Sequence, residues 1–585
     1  MKNLLRLNKY FIIYKWHLLF GIAFVAATNY CKVRIPQIIR DGLNFVFDTI
    51  EQSGDVNDPS IGQALMKFSL TILVVAVVMG VTLYFCRQTL IVMSRLVEYD
   101  LRKALYSKYQ VLDRQFFKQY RTGDLMSRIS EDVAKVRMYL GPCLLYGLNL
   151  VALFIISISA MIQVSPKLTL YTLLPLPILS FSIYKISSII NKKSELIQKQ
   201  IAKLNSTCQE IFSGIRIVKA YVKEGYFAGY FDTETEDFRS KSLDLAKVNA
   251  LFFPMMILLI SLSSLLTIFI GGIMVNRGEI SPGNIAEFII YVNYLTWPFT
   301  SIGWIASLIQ QAEVSQKRMN EILDYEPSII NKNQDDYSVK GDIEFKNISF
   351  TYPETGVKAV SELDFSIKAG EKLLIVGKTA SGKSSIMDLI MRMYDPTEGQ
   401  ILIDGKDSRD HNLSVLRSSI AYIPQDVFLF SDTIYNNINF GIDAKDLSTT
   451  KSFASHASID NEIESLPKSY ETLVGERGVT LSGGQKQRVS IARAFIRESD
   501  IILMDDCLSA VDTKTEKKIL SYLNDALRDK TAIIITHRLF DLNGIDKIMI
   551  IEEGRCVAMG NHDQLFKNNS FYREMVERQL YENVE

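Results

Sequence analysis

The first half of the chain contains apolar stretches that are too long for the interior of a soluble domain. A helix that crosses a bilayer needs about 20 apolar residues. We interpret six stretches as such spans, near Trp16–Tyr30, Leu70–Val92, Tyr139–Val164, Leu168–Ile190, Leu251–Val275 and Ile285–Ile309. The sequence therefore predicts an all-α transmembrane domain of six helices over residues 1–325, in contact with the lipid bilayer.

The first stretch has an alternative interpretation as a signal peptide, because Lys2, Arg6 and Lys9 precede it. Signal peptides are cleaved after small residues. Asn29–Cys31 offers no such site, and a membrane helix is the better interpretation.

The distribution of charge orients the predicted spans. Residues 41–66 contain no Lys or Arg, whereas residues 95–137 and 192–247 contain ten basic residues each. Loops rich in Lys and Arg stay on the cytoplasmic side. We therefore expect a multi-pass protein of the cell (inner or plasma) membrane, with both termini and both long, helical loops in the cytoplasm.

The overall charge and the cysteines exclude several other classes of protein. Lys and Arg number 65, as do Asp and Glu, so the formal net charge is zero and a nucleic-acid partner is not expected. The closest two of the six cysteines are Cys507 and Cys556. Their wide spacing predicts neither a zinc site nor a disulfide framework.

The composition changes after residue 325. Residues 326–338 are polar and form a predicted linker. From residue 339 to 585, short β-rich runs alternate with helical runs, a pattern typical of an α/β domain.

A glycine-rich segment follows the buried strand predicted at Leu373–Val376. The segment reads Gly377, Lys378, Thr379, Ala380, Ser381, Gly382, Lys383 and Ser384, and Ser385 opens a helix. This is the GxxxxGK[ST] phosphate loop, whose backbone N–H groups and helix N-terminus bind phosphates. We expect Lys383 to reach the β- and γ-phosphates of a nucleotide and Ser384 to bind Mg²⁺.

A second apolar run, Ile501–Met504, ends in two carboxylates. Asp505 is expected at the tip of a strand, where it can hold the same Mg²⁺. The expected cofactors at this point are therefore a nucleotide with β- and γ-phosphates and Mg²⁺.

The segment before that run narrows the class of protein. It reads Leu481, Ser482, Gly483, Gly484 and Gln485, that is LSGGQ, followed by KQR. Here the chain resembles the ATP-binding cassette (ABC) family. The resemblance implies an α/β nucleoside-triphosphatase domain of the phosphate-loop class, in which this signature contacts the γ-phosphate of ATP held by the opposite subunit.

Further positions match the family one by one. The resemblance implies that Tyr352 stacks on adenine, that Gln425 contacts Mg²⁺ and senses the membrane domain, and that His537 contacts the γ-phosphate. Gly475–Gly478 resembles a loop that exporters place before the signature, and Ser509–Asp512 resembles the loop that crosses the dimer interface. By the same resemblance, the residues of ATP hydrolysis are Gln425, His537 and the carboxylate after Asp505, which is Asp506.

The membrane half resembles the exporter branch of the family. The segments Phe116–Arg128 and Ser213–Ala220 are similar to its two cytoplasmic loops, which carry short helices that dock on ATP-binding domains. The resemblance implies a half-transporter that uses ATP to export amphiphilic or drug-like molecules by alternating access. Lipid or peptide export, an importer of similar shape, and an ATP-gated channel or regulatory membrane sensor are the alternatives.

One position departs from the family pattern. The family usually has Glu after the Mg²⁺ aspartate, whereas this chain has Asp506, followed by the equally unusual Cys507 and Leu508. The missing methylene withdraws the carboxylate by about 1.5 Å. We expect weak hydrolysis at this chain's own site and favour a heterodimer with a second half-transporter; slow turnover in a homodimer is the alternative.

The last predicted span carries a candidate substrate-binding face. Its members recur at three- and four-residue steps and are Tyr294, Trp297, Ser301, Trp304 and Leu308. Simple helix packing is the alternative interpretation of this face.

Overall fold

The computed structural model describes residues 2–54, 58–442, 446–475, 481–508, 511–536 and 544–582. The chain divides into two compact units. The first comprises Met1–Gln110 and Gly123–Tyr325, and the second comprises Val111–Thr122 and Glu326–Glu585. The short segment Val111–Thr122, from within the predicted membrane domain, thus belongs to the second unit.

The described residues of the first unit form helices and their connections. In chain order, and with α4 belonging to the second unit, the α-helices are α1 (Asn8–Ile13), α2 (Lys15–Ser53), α3 (Pro59–Val111), α4 (Arg114–Gln119), α5 (Thr122–Ser127), α6 (Val133–Met138), α7 (Leu144–Val164), α8 (Pro166–Leu173), α9 (Pro175–Ser213), α10 (Ile215–Ala220), α11 (Glu224–Asn276) and α12 (Pro282–Leu323). A 3₁₀ turn covers Asn3–Leu7, and π turns at Arg128–Asp132 and Tyr139–Cys143 join α5, α6 and α7.

Within the described ranges, four helical segments are long and apolar enough to cross a membrane. They are Lys15–Gln52, Pro59–Val111, Thr122–Val164 and Glu224–Asn276. The predicted membrane region is therefore confirmed, but its count of six spans is not. Polar residues such as Lys185 in α9 and Glu287 in α12 lower the hydropathy of the other two stretches.

In the structure, long helices extend through the two loops that the sequence analysis places in the cytoplasm. Helices α3 and α11 have 53 residues each, so each is about 80 Å long and exceeds the thickness of a bilayer. Short helices lie where the long ones end. The first of them, α4, is capped by Asp113, whose carboxylate accepts a hydrogen bond from the N–H of Phe116.

The core of the first unit lies among α2, α7, α8, α11 and α12. Its largest fully buried side chains are Phe288 and Tyr291 of α12, which pack with Leu153 and Met161 of α7. Helix α12 also packs along α2.

The second unit is the predicted α/β domain. Its strands are β1 (Ile343–Thr351), β2 (Lys358–Ile367), β3 (Lys372–Gly377), β4 (Glu398–Ile403), β5 (Lys406–Asp407), β6 (Ile420–Ile423), β7 (Ile501–Asp505), β8 (Thr531–Ile535), β9 (Lys547–Glu552) and β10 (Arg555–Gly560). Its helices, besides α4, are α13 (Lys383–Ile390), α14 (Leu413–Ser418), α15 (Ile434–Ile438), α16 (Leu447–His456), α17 (Asp460–Glu464), α18 (Gly483–Phe495), α19 (Thr513–Ala526), α20 (His562–Asn568) and α21 (Ser570–Glu582). Three 3₁₀ turns cover Ser408–Asp410, Asn439–Gly441 and Ser469–Glu471.

Two sheets organise this unit. A six-stranded sheet has the order β10-β9-β3-β8-β7-β6, in which β9, β3, β8, β7 and β6 are parallel and β10 is antiparallel to β9. A second sheet has the order β2-β1-β4-β5 with antiparallel neighbours.

Strand β7 shows why the parallel sheet forms. Ile501 and Leu503 pack into one buried cluster with α13 and the second sheet, while Ile502 and Met504 pack into another with α15, α16, α18 and α19. Successive side chains of a strand point to opposite faces, so a run of apolar residues suits a strand that is covered on both sides.

The end of β3 depends on a close backbone approach. A Cβ atom at Gly377 would lie 2.2 Å from the carbonyl oxygen of Ile551 in β9, whereas one at Gly441 would meet nothing closer than 3.6 Å.

We predict that Gly377→Ala lowers the free energy of unfolding of the ATP-binding unit by about 1–3 kcal/mol, because β3 and β9 must separate. Scanning calorimetry should show its transition at lower temperature, with Gly441→Ala as the control; equal transitions for both variants would contradict the close packing.

Candidate nucleotide-binding site

The phosphate loop connects β3 to α13, as the sequence predicts. Gly382 precedes α13 with a φ of 95°, and a Cβ there would lie 2.1 Å from the carbonyl oxygen of Ala359. Ala380 also has a positive φ, 63°. The loop therefore turns in a conformation that glycine adopts without strain at Gly382.

The side chain of Lys383 lies along this loop. Its ammonium donates to the carbonyl oxygens of Gly377 and Lys378 at 2.9 Å and 2.7 Å. Burial lowers the pKa of Lys383, and the carboxylates of Asp505 and Asp506 oppose that shift. The ammonium is thus held near two negative charges and can reach a phosphate at the loop.

Ser384 and Asp505 lie together at the carboxyl edge of the parallel sheet. The Ser384 hydroxyl donates to the Asp505 carboxylate, which is 4% exposed, and burial raises the pKa of Asp505. A hydroxyl and a carboxylate oxygen fit Mg²⁺, which binds one or two protein oxygens together with substrate phosphates. Groups of three or more His, Cys, Asp or Glu side chains that could hold a metal ion without such phosphates do not occur among the described residues.

Asp506 follows directly in a left-handed conformation. Its φ is 43°, and its N–H donates to the carbonyl oxygen of Ile535 in β8 at 2.8 Å. Asp tolerates this conformation better than most residues. The chain turns away from the direction of β7 at Asp506, and the charge of the Asp506 carboxylate acts on Lys383.

Gln425 reaches the same edge from the neighbouring strand. Ile423 pairs with Met504 in the β6–β7 register, so Gln425 and Asp505 both follow the ends of paired parallel strands. Gln425 is exposed. Ligands of open α/β sheets bind outside the carboxyl ends of such strands.

Tyr352 lies against α13. Its hydroxyl is 2.9 Å from the hydroxyl of Ser385, and its ring makes an edge contact with that of Tyr394, with 5.4 Å between the centroids. Tyr352, whose ring is expected to bind adenine, therefore contacts the residue that directly follows Ser384.

Three charged residues that the sequence analysis did not identify lie beside this ring. Lys118 of α4 places its ammonium 4.5 Å from the centroid of the Tyr352 ring, and Arg114 forms an ion pair with Asp388 of α13. The Asp388 side chain is 7% exposed; burial raises its pKa, and Arg114 opposes the shift. The sequence signal for this ion pair was Asp388 itself, a carboxylate on an otherwise buried face of α13, because a buried charge requires a partner.

The signature segment forms the start of α18. Ser482 caps the helix: its hydroxyl accepts from the N–H of Gln485 at 3.3 Å, and the Gln485 side chain accepts from the N–H of Ser482 at 2.8 Å. Gln485 also donates to Glu462, which forms an ion pair with Arg488. Ser482 and Gly483 are exposed, and Gly484 is partly exposed, so the N-terminus of α18 is accessible to a group from outside the chain.

Several expected site residues lie outside the described residues. These are His537, the residues after Gly475 in the loop before the signature, and Ser509 and Ala510. On the predicted substrate face of α12 the side chain of Trp297 is also not described. Ser301 and Leu308 of that face are buried, at 5% and 7% exposure, so this part of the face serves helix packing.

The Arg114–Asp388 ion pair supplies a test of how α4 is held. Arg114→Ala leaves a buried carboxylate without its partner, whereas Arg114→Ala combined with Asp388→Asn removes the charge as well. We predict that the single variant is less stable than the double variant, because an unpaired buried charge costs more than a lost pair. Thermal unfolding of the three variants, including Asp388→Asn alone, measures the difference; a double variant less stable than Arg114→Ala would contradict the interpretation.

Comparisons with known proteins agree with this geometry. The family described as the ABC transporter transmembrane region matches residues 18–299, and the family described as ABC transporter matches residues 360–509. The multidrug resistance-like ATP-binding protein MdlA of Escherichia coli (strain K12) is 34% identical over 89% of this chain and 88% of its own length. The ATP-dependent lipid A-core flippase of Pseudomonas fluorescens (strain Pf0-1) is 30% identical over 95% and 92%.

The fold also matches a solved structure. A bacterial Atm1-family ABC exporter with ATP bound superposes with a TM-score of 0.76 over 98% of both chains, at 24% sequence identity, a likeness that concerns the fold. A membrane region is followed in one chain by an ATP-binding unit with a complete phosphate loop and signature, and relatives above 30% identity share that arrangement over most of their length. The chain therefore belongs to the ABC transporter family, among the exporters that join a transmembrane region to an ATP-binding domain.

Proposed function

We propose that this chain is one half of a dimeric exporter that uses ATP to move amphiphilic or drug-like molecules out of the cell. The observation that carries the proposal is the gathering of Lys383, Ser384, Asp505 and Asp506 at one sheet edge, in a chain that also holds membrane-crossing helices. Relatives named for multidrug resistance and for lipid A-core flipping support an amphiphilic substrate. The second name makes lipid flipping the second candidate.

We propose six membrane spans, with α9 and α12 supplying the two beyond the four candidates. Both are long, at 39 and 42 residues, and both pack against candidate spans. We also propose that the two termini and the ATP-binding unit lie inside the cell, which the basic residues of the two long loops support.

The site residues have distinct proposed roles. Lys383 and the loop Gly377–Ser384 bind the phosphates, Tyr352 stacks on the adenine, and Ser384, Asp505 and Gln425 orient Mg²⁺. Bound Mg²⁺ neutralises charge on the phosphates during transfer. Gln425, Asp506 and His537 are the proposed residues that position the attacking water and the γ-phosphate.

Two exposed apolar surfaces support dimer formation. At the second cytoplasmic loop, Phe212, Ile217, Tyr221 and Val222 are 66–80% exposed. In the ATP-binding unit, Phe428, Phe430 and Phe440 form an exposed aromatic cluster in which two of the rings stack at 4.6 Å. Such surfaces mark protein contacts. We propose that the loop of each chain docks on the aromatic cluster of the other.

We propose further that the two ATP sites of the dimer differ. The site on Lys383 has the short carboxylate of Asp506, and a misplacement of about 1 Å can cost roughly a hundredfold in rate. The signature at Ser482 is complete and capped, and it would serve the partner's phosphate loop. Most hydrolysis would then occur at the composite site formed by Ser482 and a partner with Glu at the position of Asp506.

Nucleotide binding can be tested directly at the phosphate loop. We predict that Lys383→Ala reduces labelling by a photoreactive ATP analogue about tenfold or more, because a charge-assisted contact to phosphate is lost. Lys451→Ala, which removes an exposed lysine paired with Glu464, is the control and should label normally. Unchanged labelling of Lys383→Ala would refute the assignment.

The asymmetry makes an ordered prediction about ATP hydrolysis by the assembled complex. Ser482→Arg should nearly abolish steady-state turnover, because it blocks the partner's site, and Asp506→Asn should cost far less. Asp506→Glu would raise the rate of hydrolysis if the only defect of the Lys383 site is that the Asp506 side chain is one methylene too short. Ser418→Arg, at an exposed serine of α14, is the control. If Asp506→Asn is as inactive as Ser482→Arg, the Lys383 site is catalytic and the asymmetric arrangement is wrong.

A further inference from the structure

Three contacts join α2 and α12 at successive levels. Arg40 forms an ion pair with Glu287 at 3.1 Å, the Tyr291 hydroxyl oxygen lies 3.2 Å from the carbonyl oxygen of Val33, and Lys32 lies over the ring of Tyr294 at 4.6 Å. From one contact to the next, the residue number decreases in α2 and increases in α12. The two helices therefore run antiparallel, and the three contacts form a ladder between them.

The charges at the Arg40 level are compensated. The Glu287 side chain is fully buried and accepts from Arg40, from the Tyr291 hydroxyl at 2.9 Å and from Asn284 at 3.4 Å. Arg40 is also paired with Asp41 at 2.8 Å. The positive charge of Arg40 is therefore compensated, and this level of the ladder has no cation left for an anionic ligand.

The charge at the Lys32 level is not compensated. Lys32 is half-buried, and among the described residues no Asp or Glu oxygen lies within 4.0 Å of its ammonium. It lies eight residues before Arg40, about 12 Å along the helix. Tyr294 lies nine residues, or about 13 Å, inside the predicted start of the last span, so its contact with Lys32 falls within the proposed membrane-spanning part of α12.

A lysine at that depth is costly unless an anion accompanies it. A charged side chain within a membrane is costly, and such residues mark pathways of substrates or ions. The ring of Tyr294 attracts the ammonium through its π face but carries no negative charge to neutralise it.

A second polar group with unused capacity lies one turn away. Asn29 is 1% exposed and donates through Nδ2 to Oδ1 of Asn149 in α7 at 2.9 Å. Its own Oδ1 has no hydrogen-bond donor in the described part of the chain. Side chains three residues apart on a helix are neighbours, so Asn29 and Lys32 together offer an acceptor and a cation.

We propose that Lys32 binds the acidic head group of the transported amphiphile, beside Tyr294 and Asn29. The ligand class is an amphiphile with a phosphate or carboxylate, whose adjacent hydroxyl or acidic proton donates to Asn29. This inference rests on the proposed export function and narrows its substrate to net-anionic amphiphiles.

The test measures binding to the assembled complex in nanodiscs of phosphatidylcholine, without ATP. The probes share one alkyl chain and differ in charge: dodecyl phosphate, dodecyl maltoside and dodecyltrimethylammonium. Inorganic phosphate is a fourth probe, and protein-free nanodiscs give the background. Equilibrium dialysis yields a Kd for each probe with the unmodified complex and with Lys32→Gln, Lys32→Arg and Arg34→Gln.

We expect Lys32→Gln to weaken binding of dodecyl phosphate about tenfold or more, as loss of a hydrogen bond to a charged group does. Dodecyl maltoside should bind that variant as before, and Lys32→Arg should keep dodecyl phosphate binding within about threefold. Arg34→Gln is the matched control: the exposed Arg34 contacts Gln37 at 2.6 Å, and its removal should change nothing.

Three results would overturn the inference. Equal weakening of dodecyl phosphate and dodecyl maltoside would show a structural role for Lys32, and unchanged binding would show that its charge is used elsewhere, for example by a carboxylate of the second chain. Binding of inorganic phosphate as tight as that of dodecyl phosphate would show a site for small anions. A failure of the proposed export function can be told apart from a failure of this inference by a separate measurement of ATP hydrolysis. If the chain is not an exporter, no amphiphile of any charge would alter the rate of ATP hydrolysis, whatever Lys32 binds.

Discussion

The ammonium of Lys383 donates to backbone carbonyls of its own loop and is under the electrostatic influence of two carboxylates at the end of β7, and the rest of the site is arranged around it. That position exists because β3 and β7 are parallel strands of one sheet and end at the same edge. Gly377 and Gly382 let the loop approach neighbouring backbone closely enough to place the lysine there. The resulting cluster of one cation, one hydroxyl and two carboxylates suits a nucleotide with Mg²⁺.

The ATP-binding unit also includes a piece of chain from the membrane half. Helix α4 contacts α13 and Tyr352 through Arg114 and Lys118, and Asp113 accepts hydrogen bonds from the backbone N–H and hydroxyl of Ser328 in the linker. The segment Val111–Thr122 is continuous in sequence with α3, so the ATP-binding unit is completed by a piece of chain that the membrane half supplies.

Much of the site could be predicted from the sequence because its determinants are local. The phosphate loop needs only a strand, glycines and a helix start, and the signature is a helix cap whose partners, Ser482 and Gln485, are three residues apart. The Arg114–Asp388 pair could not be predicted, because it joins residues 274 positions apart. The sequence does not predict the site at Lys32, because hydropathy falls at Tyr30 and the first predicted span ends there. Helix α2 continues to Ser53, and its packing against α12 brings Lys32 into contact with Tyr294.

In the proposed function, ATP hydrolysis by this chain drives movement of an amphiphile across the membrane. Accumulation of a fluorescent amphiphile inside proteoliposomes whose ATP-binding units face outward measures that movement most directly. We expect uptake against a concentration gradient that continues over many turnovers with ATP and stops with a non-hydrolysable analogue. Equal flux with the analogue, running only down the gradient, would refute ATP-driven transport and indicate an ATP-gated channel.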